Sequence, residues 1–371
     1  MTKNYDVAVI GAGVFGAWSA YCLRRAGAEV LLVDAYGPGN SRASSGGESR
    51  MIRLGYGPDE IYTRMAQWSL ELWQELFAEI GPQTVPLFQN TGILWLARER
   101  DAYCEALLST LQNVGARFEK LGRDELVQRF PQIEPDQAAW GILEPDSGVL
   151  LARRAVQAVV ARALAIGVDY QQTRVTSETR LNADRTVFAC GPWLPKLFPE
   201  LLGELIHVTR QEVFFFGVPA GDERFGPQRL PAWIDFNDLV YGLPNIDGRG
   251  FKLAIDAHGP EFDPDTGQRI VSSEGLAAAR AYLAQRVPAL ADAPVLETRV
   301  CQYENTSNGD FLIDRHPQRE NVWLVGGGSG HGFKHGPAVG EYVTAMIQRR
   351  GTPEPRFSLA TKQAVRSRQV Y

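Results

Sequence analysis

The feature that most constrains the fold is a glycine-rich turn at residues 11–16, with the spacing G-x-G-x-x-G. It lies between an apolar run at residues 7–10 and a stretch that predicts a helix to about Ala26. A second apolar run, residues 30–33, follows and ends at Asp34. Continuous β-prone apolar runs are typical of strands buried on both faces of a parallel sheet. This order predicts a β-turn-α-β unit of the Rossmann type.

The glycines of this turn have separate roles in a nucleotide site. Gly11 allows the tight turn, Gly13 lets the backbone approach a pyrophosphate, and Gly16 allows the helix to pack closely on the strand. The helix N-terminus, at Val14 and Phe15, presents free N–H groups and the positive end of the helix dipole to phosphates. We therefore expect a bound dinucleotide.

Asp34 narrows the choice of nucleotide. A carboxylate at the end of the second strand accepts hydrogen bonds from an adenosine ribose and disfavours a 2′-phosphate, which argues against NADP. The motif by itself does not distinguish FAD from NAD, and a glycine-rich turn without a ligand would share its spacing. The complete unit with its acid favours the nucleotide site.

Length and composition set the broad class. The chain has 371 residues, more than one hydrophobic core usually holds, so we expect two lobes. A net charge of −5 gives no reason to expect nucleic acid or anionic lipid as a partner. The four cysteines lack metal-type spacing, and no apolar run approaches the length of a membrane span or a signal peptide. We expect no metal, no membrane association and a cytoplasmic location.

The remaining pattern predicts an α/β fold with an α+β second lobe: a Rossmann-type FAD-binding domain and a sheet-rich substrate domain. Helices are predicted at residues 101–129 and 152–166, and short strands between about 210 and 256. The predicted FAD-binding domain is discontinuous and comprises residues 1–82, 145–210 and 300–371. The predicted substrate-binding domain comprises residues 83–144 and 211–299.

Five further segments carry a resemblance to a known family. They are Gly-Glu-Ser-Arg-Met-Ile-Arg at 47–53, Phe-Lys-Leu at 251–253, Cys-Gln-Tyr at 301–303, Asp-Phe-Leu-Ile-Asp-Arg-His-Pro at 310–317 and Gly-His-Gly-Phe-Lys at 330–334. Their order and spacing resemble the monomeric sarcosine oxidase family of the D-amino-acid oxidase superfamily. That family includes N-methyltryptophan oxidase, pipecolate oxidase and the fructosyl-amino-acid oxidases.

The resemblance implies FAD as the cofactor, linked covalently through Cys301. Arg50 matches an arginine near the flavin, where a cation favours the thiolate that the linkage needs. Without the resemblance, we would interpret Cys301 as a small buried residue. The turn around His331 would face the reduced flavin. The full set of cofactor residues that we expect is Gly11, Gly13, Val14, Phe15, Gly16, Asp34, Ser45, Arg50, Val175, Gly191, Cys301, Gly330, His331, Gly332, Phe333 and Lys334.

The resemblance also implies a catalytic set. Lys252 matches the lysine that helps reduced flavin react with oxygen, since a fixed ammonium stabilises negative charge on oxygen. Arg53 and Lys334 match the two cations that hold a substrate carboxylate. Tyr241 and Tyr303 match aromatics of the substrate pocket. The alternatives are a surface lysine on a strand edge, surface salt bridges and ordinary core tyrosines.

The function implied is that of a monomeric, flavin-dependent oxidase acting on CH–NH bonds of a secondary amino acid, either N-alkyl, N-methyl or cyclic. The imine product hydrolyses to a carbonyl compound and an amine, and O2 is reduced to H2O2. The alternatives are a primary amino-acid oxidase of the glycine or D-amino-acid type, an FAD dehydrogenase with another acceptor, an NAD-dependent dehydrogenase, and a non-catalytic flavin protein.

This chain departs from the family at three places. Gly46 and Asp256 stand where the sarcosine oxidases carry histidines, and the segment 174–186 is shorter. The first two changes alter the size and charge of the pocket, and they favour a larger or cationic amine over sarcosine itself.

Overall fold

A computed structural model describes residues 3–364, so residues 1–2 and 365–371 of the predicted FAD-binding domain lie outside the described residues. The strands are β1 (Tyr5–Ile10), β2 (Val30–Asp34), β3 (Arg50–Ile52), β4 (Phe88–Gln89), β5 (Ile93–Ala97), β6 (Glu119–Gly122), β7 (Trp140–Glu144), β8 (Gly148–Leu150), β9 (Asp169–Gln172), β10 (Ala183–Phe188), β11 (Ile206–Phe216), β12 (Ala232–Asp235), β13 (Val240–Leu243), β14 (Phe251–Ile255), β15 (Val295–Thr306), β16 (Leu312–His316) and β17 (Arg319–Gly326). The α-helices are α1 (Val14–Arg25), α2 (Glu60–Ile80), α3 (Ala102–Asn113), α4 (Arg123–Arg129), α5 (Ala152–Ala165), α6 (Leu194–Leu197), α7 (Pro199–Leu202), α8 (Ser273–Arg286) and α9 (Gly336–Ile347).

The first sheet has six strands in the order β16-β17-β10-β1-β2-β9. All neighbours pair in parallel except β16, which is antiparallel to β17 at one edge. Helix α1 packs against α5 and α9 over this sheet. The last four residues of β1 are buried, as expected for a strand covered on both faces. The predicted β-turn-α-β unit and its parallel sheet are confirmed.

Close backbone contacts fix the turn between β1 and α1. Gly11 has a φ of +104°, which favours glycine, and a Cβ there would lie 2.3 Å from the carbonyl oxygen of Ala189. A Cβ on Gly16 would lie 1.8 Å from the carbonyl oxygen of Gly11. The turn therefore brings α1 against β1 and β10 at a distance that only glycine allows.

The second sheet has eight strands in the order β15-β11-β14-β13-β12-β5-β7-β6. Its longest pairing joins β11 and β15, which run antiparallel from Ile206–Thr306 to Phe216–Val295. The predicted strands between 210 and 256 are confirmed as the end of β11, β13 and β14. A small third sheet has the strand order β3-β8-β4. Its pairing of β3 with β8 holds the backbone of Arg50 in place.

The prediction of one helix over residues 101–129 was wrong. Helix α3 ends at Asn113, and Gly115 follows with a φ of +71°, a conformation that ends helices. Residues 119–122 then pair with β7 as an edge strand before α4 begins. Pairing with a neighbouring strand outweighed a weak local helical pattern.

The division into two domains stays a prediction. Its boundaries at 210/211 and 299/300 fall inside β11 and β15, two strands of the eight-stranded sheet. None of the helices within residues 3–364 combines the length and apolar character that crossing a membrane requires.

The contact between α1 and the turn predicts a sharp difference between two glycines. We expect Gly16→Ala to lower the unfolding temperature of the apoprotein by roughly 5 °C or more, because the added methyl group overlaps a backbone oxygen. Gly13→Ala is the control, since its Cβ would meet only the Ser45 hydroxyl at 3.5 Å. Differential scanning calorimetry measures both, and equal unfolding temperatures would contradict the packing argument.

Candidate active site

A cavity of about 380 Å³ opens along the carboxyl ends of the parallel strands β1, β2, β10 and β17. Ligands of open α/β sheets bind at this edge. Thirteen of the predicted cofactor residues line it: Gly11, Gly13, Val14, Phe15, Asp34, Ser45, Arg50, Val175, Gly191, Cys301, Gly330, Gly332 and Phe333. Gly16 lies behind the turn, and His331 and Lys334 line a neighbouring cavity instead.

The nucleotide end of this cavity is held rigid by two side chains. Asp34 accepts hydrogen bonds from the backbone N–H of Ala12 at 2.7 Å, Tyr36 at 2.7 Å and Gly37 at 2.8 Å. Ser45 accepts one from the N–H of Val14, the first residue of α1, at 3.0 Å. The acid thus joins β2 to the glycine-rich turn, and it still lines the cavity where a ribose is expected.

Glu304 is a buried acid in this cavity that sequence reasoning missed. Its side chain is 8% exposed, and Oε1 accepts from the N–H of Gly328 at 3.3 Å while Oε2 has no partner among the described residues. Burial raises the pKa of this carboxyl to about 7. An unsatisfied oxygen at the wall fits a ligand that carries hydroxyl groups, as FAD does. The glycine turns, Asp34 and Glu304 together fit a dinucleotide.

Cys301 lines the same cavity, beside a guanidinium. Nη2 of Arg50 is 3.1 Å from Sγ of Cys301 and donates to the carbonyl oxygen of Ser44 at 3.0 Å. Burial raises the pKa of the other three cysteines, Cys22, Cys104 and Cys190. Cys301 is therefore the cysteine of this chain that is paired with a cation.

A second cavity of about 80 Å³ adjoins the first, and all five predicted catalytic residues line it. They come from five parts of the chain that the fold brings together: Arg53, Tyr241, Lys252, Tyr303 and Lys334. Arg50, Tyr303, Gly330 and Phe333 line both cavities. A small molecule in the second cavity would thus contact a ligand in the first.

Lys252 is buried in β14, between β11 and β13, with 2% of its surface exposed. It is not a surface lysine at a sheet edge. Nζ donates to the carbonyl oxygen of Ser49 at 2.8 Å and lies 5.6 Å from the centre of the Tyr241 ring. Burial, helped by the nearby Arg50, lowers the pKa of Lys252 well below its usual value. The amine is held in place without a carboxylate partner in contact with it.

Lys334 is held by a tyrosine that the sequence analysis did not single out. Nζ donates to the Tyr56 hydroxyl at 2.7 Å and to the carbonyl oxygen of His331 at 3.0 Å. The same hydroxyl lies 2.7 Å from Nε2 of His335 and 3.2 Å from Nδ1 of His331. Burial lowers the pKa of Lys334 well below its usual value. The one feature of the sequence that could have indicated a role for Tyr56 is its position three residues after Arg53.

Arg53 is 6% exposed and is placed by aromatic rings and a buried acid. Its guanidinium carbon lies 4.3 Å from the centre of the Tyr56 ring and 5.0 Å from that of Trp95, and Nη1 donates to the carbonyl oxygen of Gly55. Glu144, fully buried, accepts from the N–H of Gly55 at 3.0 Å and from Nε1 of Trp95 at 2.7 Å. Glu144 therefore fixes the loop that carries Arg53.

Asp256 adds a carboxylate to the second cavity. Its Oδ1 accepts a hydrogen bond from the Tyr303 hydroxyl at 2.5 Å. Burial raises the pKa of Asp256 to about 6, although Tyr303, Arg53 and Lys334 each act to lower it. Burial and the Asp256 charge also raise the pKa values of Tyr241 and Tyr303. The cavity thus contains both cations and an anion.

Residues 3–364 contain no group of three or more side chains arranged to hold a metal ion.

Comparison with known proteins agrees with this geometry. Residues 6–346 match the family described as FAD dependent oxidoreductase. The chain is 32% identical to monomeric sarcosine oxidase of Bacillus sp. strain B-0618, over 93% of each chain, and 31% identical to N-methyl-L-tryptophan oxidase of Salmonella arizonae, over 94% and 96%. The crystal structure of L-proline dehydrogenase from P. horikoshii superposes with a TM-score of 0.83 at 20% identity, covering 97% of this chain and 98% of that one.

The fold and the two joined cavities define a flavoprotein oxidoreductase. The family match covers residues 6–346, which is most of the sequence. The chain therefore belongs to the family of FAD-dependent oxidoreductases, and FAD is its cofactor. Asp34, the glycine turns and Glu304 would hold the dinucleotide, and Arg50 and Cys301 line the same cavity.

The contact between Tyr56 and Lys334 gives a test of the predicted carboxylate site. We expect Tyr56→Phe to weaken the binding of acetate by roughly 10-fold, since a hydrogen bond to a charged group is lost. The dissociation constant is read from the change that acetate causes in the flavin absorption spectrum. Tyr62→Phe is the control, because its ring stacks on Tyr56 but its hydroxyl bonds to the backbone of Phe311. Equal effects of the two variants would contradict the role of Tyr56.

Proposed function

We propose that this protein is an FAD-dependent oxidase of a small secondary amino acid, N-methylated or cyclic. The product is an imine, which water converts to a carbonyl compound and an amine, and O2 is reduced to H2O2. The observation that carries the proposal is the pair of buried cations, Arg53 and Lys334, in a small cavity that opens onto the cofactor cavity.

The cations favour an amino acid over a simple amine. The planar guanidinium of Arg53 suits a carboxylate, and the Lys334 amine adds a second donor. Burial depresses the pKa of Lys334, and an incoming carboxylate acts in the opposite direction because it favours the charged amine. Binding energy and charge are therefore concentrated on the carboxylate end of the substrate.

Size and relatives indicate the rest of the substrate. A cavity of about 80 Å³ holds about five to eight waters at roughly 10–15 Å³ each, so it suits a ligand of similar size. The relatives named above act, by their names, on sarcosine and on N-methyl-L-tryptophan. We infer a small N-methyl or cyclic amino acid, rather than the larger amine that the departures from the family favoured.

The side chains of this site support the redox chemistry in two ways: one acts on oxygen and others enclose the substrate. FAD, when bound, accepts a hydride equivalent from the substrate carbon and passes electrons to oxygen. Lys252, buried beside Tyr241 and Arg50, offers an ammonium group to dioxygen, where positive charge away from water strongly stabilises negative charge on oxygen. Tyr303 and Tyr241 close the cavity around the substrate.

Covalent attachment of FAD through Cys301 is part of the proposal. Its support is the position of Sγ in the cofactor cavity and the guanidinium of Arg50 at 3.1 Å. We also propose that the protein is a cytoplasmic monomer. The supporting observations are the free state of all four cysteines, which fits a reducing compartment, and the name of the Bacillus relative.

An anaerobic screen tests the function. Purified protein is mixed without oxygen with sarcosine, N-methyl amino acids, proline, pipecolate, glycine and D-alanine, and loss of flavin absorbance near 450 nm is followed. We expect bleaching by a small secondary amino acid, and formation of H2O2 when air is admitted. Bleaching only by glycine or D-alanine would indicate a primary amino-acid oxidase. Reduced flavin that stays stable in air would indicate a dehydrogenase with another acceptor.

Lys252 gives a prediction that separates the two half-reactions. We expect Lys252→Met to slow reoxidation by O2 by roughly 100-fold while anaerobic reduction changes by less than about 5-fold, because the ammonium acts on oxygen. Stopped-flow absorbance measures each step. Lys120→Met, on the protein surface over Trp140, is the control. Equal slowing of both half-reactions would refute the assignment.

Cys301 gives a prediction that needs no turnover. After denaturation in acid, the flavin of the wild-type protein should remain with the precipitate, while that of Cys301→Ser should be released into the supernatant. The control is Cys190→Ser, which changes another cysteine of the same cavity. Release from the wild-type protein would show that the linkage is absent, and retention in Cys301→Ser would place it at another residue.

A further inference from the structure

We propose that the carboxylate of Asp256 is the subsite for the cationic nitrogen of the substrate, so that the enzyme takes up its amino acid as the zwitterion. The proposal deepens the function proposed above and rests on it for the identity of the ligand. It concerns a residue at which this chain departs from the family that it resembles.

The geometry leaves one oxygen of Asp256 available to a ligand. Asp256 follows directly after β14 and lines the 80 Å³ cavity. Its Oδ1 accepts the hydrogen bond from Tyr303 at 2.5 Å, and Oδ2 has no partner among the described residues. Tyr303 is the donor and Oδ1 of Asp256 the acceptor in this hydrogen bond. Tyr303 fixes the group and leaves its second oxygen for the cavity.

The charges in the cavity match those of a zwitterionic amino acid. The Arg53 guanidinium is positive, the Lys334 amine can bind a proton, and Asp256 is the carboxylate that faces them in the same cavity. Asp235 also lines this cavity, but its carboxylate is engaged by Arg286 at 2.6 Å and by Tyr282 at 3.2 Å. A ligand with an acid at one end and a cation at the other satisfies both sides.

Size identifies the cation as the amino nitrogen. A basic side chain would place its charge several bonds beyond the α-carbon, whereas a cavity of about 80 Å³ has room for about five to eight atoms of water size. In a small amino acid the charged nitrogen lies two bonds from the carboxylate carbon. Oδ1 of Asp235 accepts from the N–H of Asp238, so Oδ2 of Asp256 is the carboxylate oxygen left without a partner among the described residues that line this cavity. In so small a space it meets the amine itself.

The pH dependence follows from the groups that face Asp256. Burial holds its pKa at about 6, so the carboxylate is present above that pH and is lost by protonation as the pH falls below it. Affinity for a cationic ligand should decline in the same direction. The charged and titratable groups around Asp256 come from every neighbouring element, and they are Arg50, Arg53, Tyr241, Lys252, Tyr303 and Lys334.

A matched pair of ligands tests the subsite without turnover. Betaine, N,N,N-trimethylglycine, and 3,3-dimethylbutanoate share their shape and carboxylate, but only betaine carries a permanent positive charge. Binding to the holoenzyme at pH 8 is followed by the change in the flavin spectrum. We expect the wild-type protein to bind betaine more tightly than its carbon analogue. In Asp256→Asn, betaine should bind roughly 10-fold more weakly or worse, and the analogue should change by less than about 2-fold.

The control variant is Asp222→Asn, which removes a partly buried acid paired with Arg224 outside both cavities and should leave both affinities unchanged. Equal loss of both ligands in Asp256→Asn would show a structural role and overturn the proposal. So would a wild-type protein that binds the two equally or binds neither. When the pH is lowered from 8 to 5, the affinity for betaine should fall and the affinity for the analogue should not fall with it. A parallel fall in both affinities would also contradict the assignment.

The same variant separates this inference from the proposed function. If no amino acid bleaches the flavin but betaine still depends on Asp256, the subsite stands and the proposed oxidase does not. If an amino acid does bleach it, the ratio of the reduction rate constant to the dissociation constant should fall at least about 10-fold in Asp256→Asn at pH 7. It should recover as the pH approaches 10, where free amine becomes available in solution. A loss that is independent of pH would overturn the subsite alone.

Discussion

The burial of positive charge around two joined cavities is the constraint on which this site depends. Lys252 and Lys334 are 2% and 5% exposed, and their amines contact neutral oxygens of Ser49, Tyr56 and His331. Removing a charge from water is costly unless it is paired, which is why the pKa values of both lysines are depressed. Such amines gain most from an anion that enters the cavity.

The surrounding fold serves to keep these groups apart and oriented. The glycine-rich turn and Asp34 fix the nucleotide end on the parallel sheet, while β13, β14 and β15 bring Tyr241, Lys252, Cys301 and Tyr303 to one wall from the antiparallel sheet. In the proposed function, each ligand charge has a separate location: phosphates at the glycine turn, the substrate acid near Arg53 and Lys334, and reduced oxygen near Lys252. This separation allows one cofactor to meet two small reactants in turn.

The sequence was sufficient for features that depend on local pattern, and insufficient for those that depend on packing. The turn at 11–16 was predictable because its glycines sit between a strand and a helix. The five predicted catalytic residues that line the second cavity could be chosen only through the family resemblance, and their roles stay a prediction. Residues 119–122 were missed because an edge strand is defined by its partner, β7. Tyr56, Glu144 and Glu304 were missed for a related reason: a buried polar side chain is informative only once its contacts are known.

The central claim is that FAD and a carboxylate ligand occupy the two cavities together. A crystal structure of the purified holoenzyme with acetate tests it most directly. The account predicts continuous density between Sγ of Cys301 and the flavin, with the acetate carboxylate between Arg53 and Lys334. A flavin in another position, or acetate bound away from both cations, would contradict it.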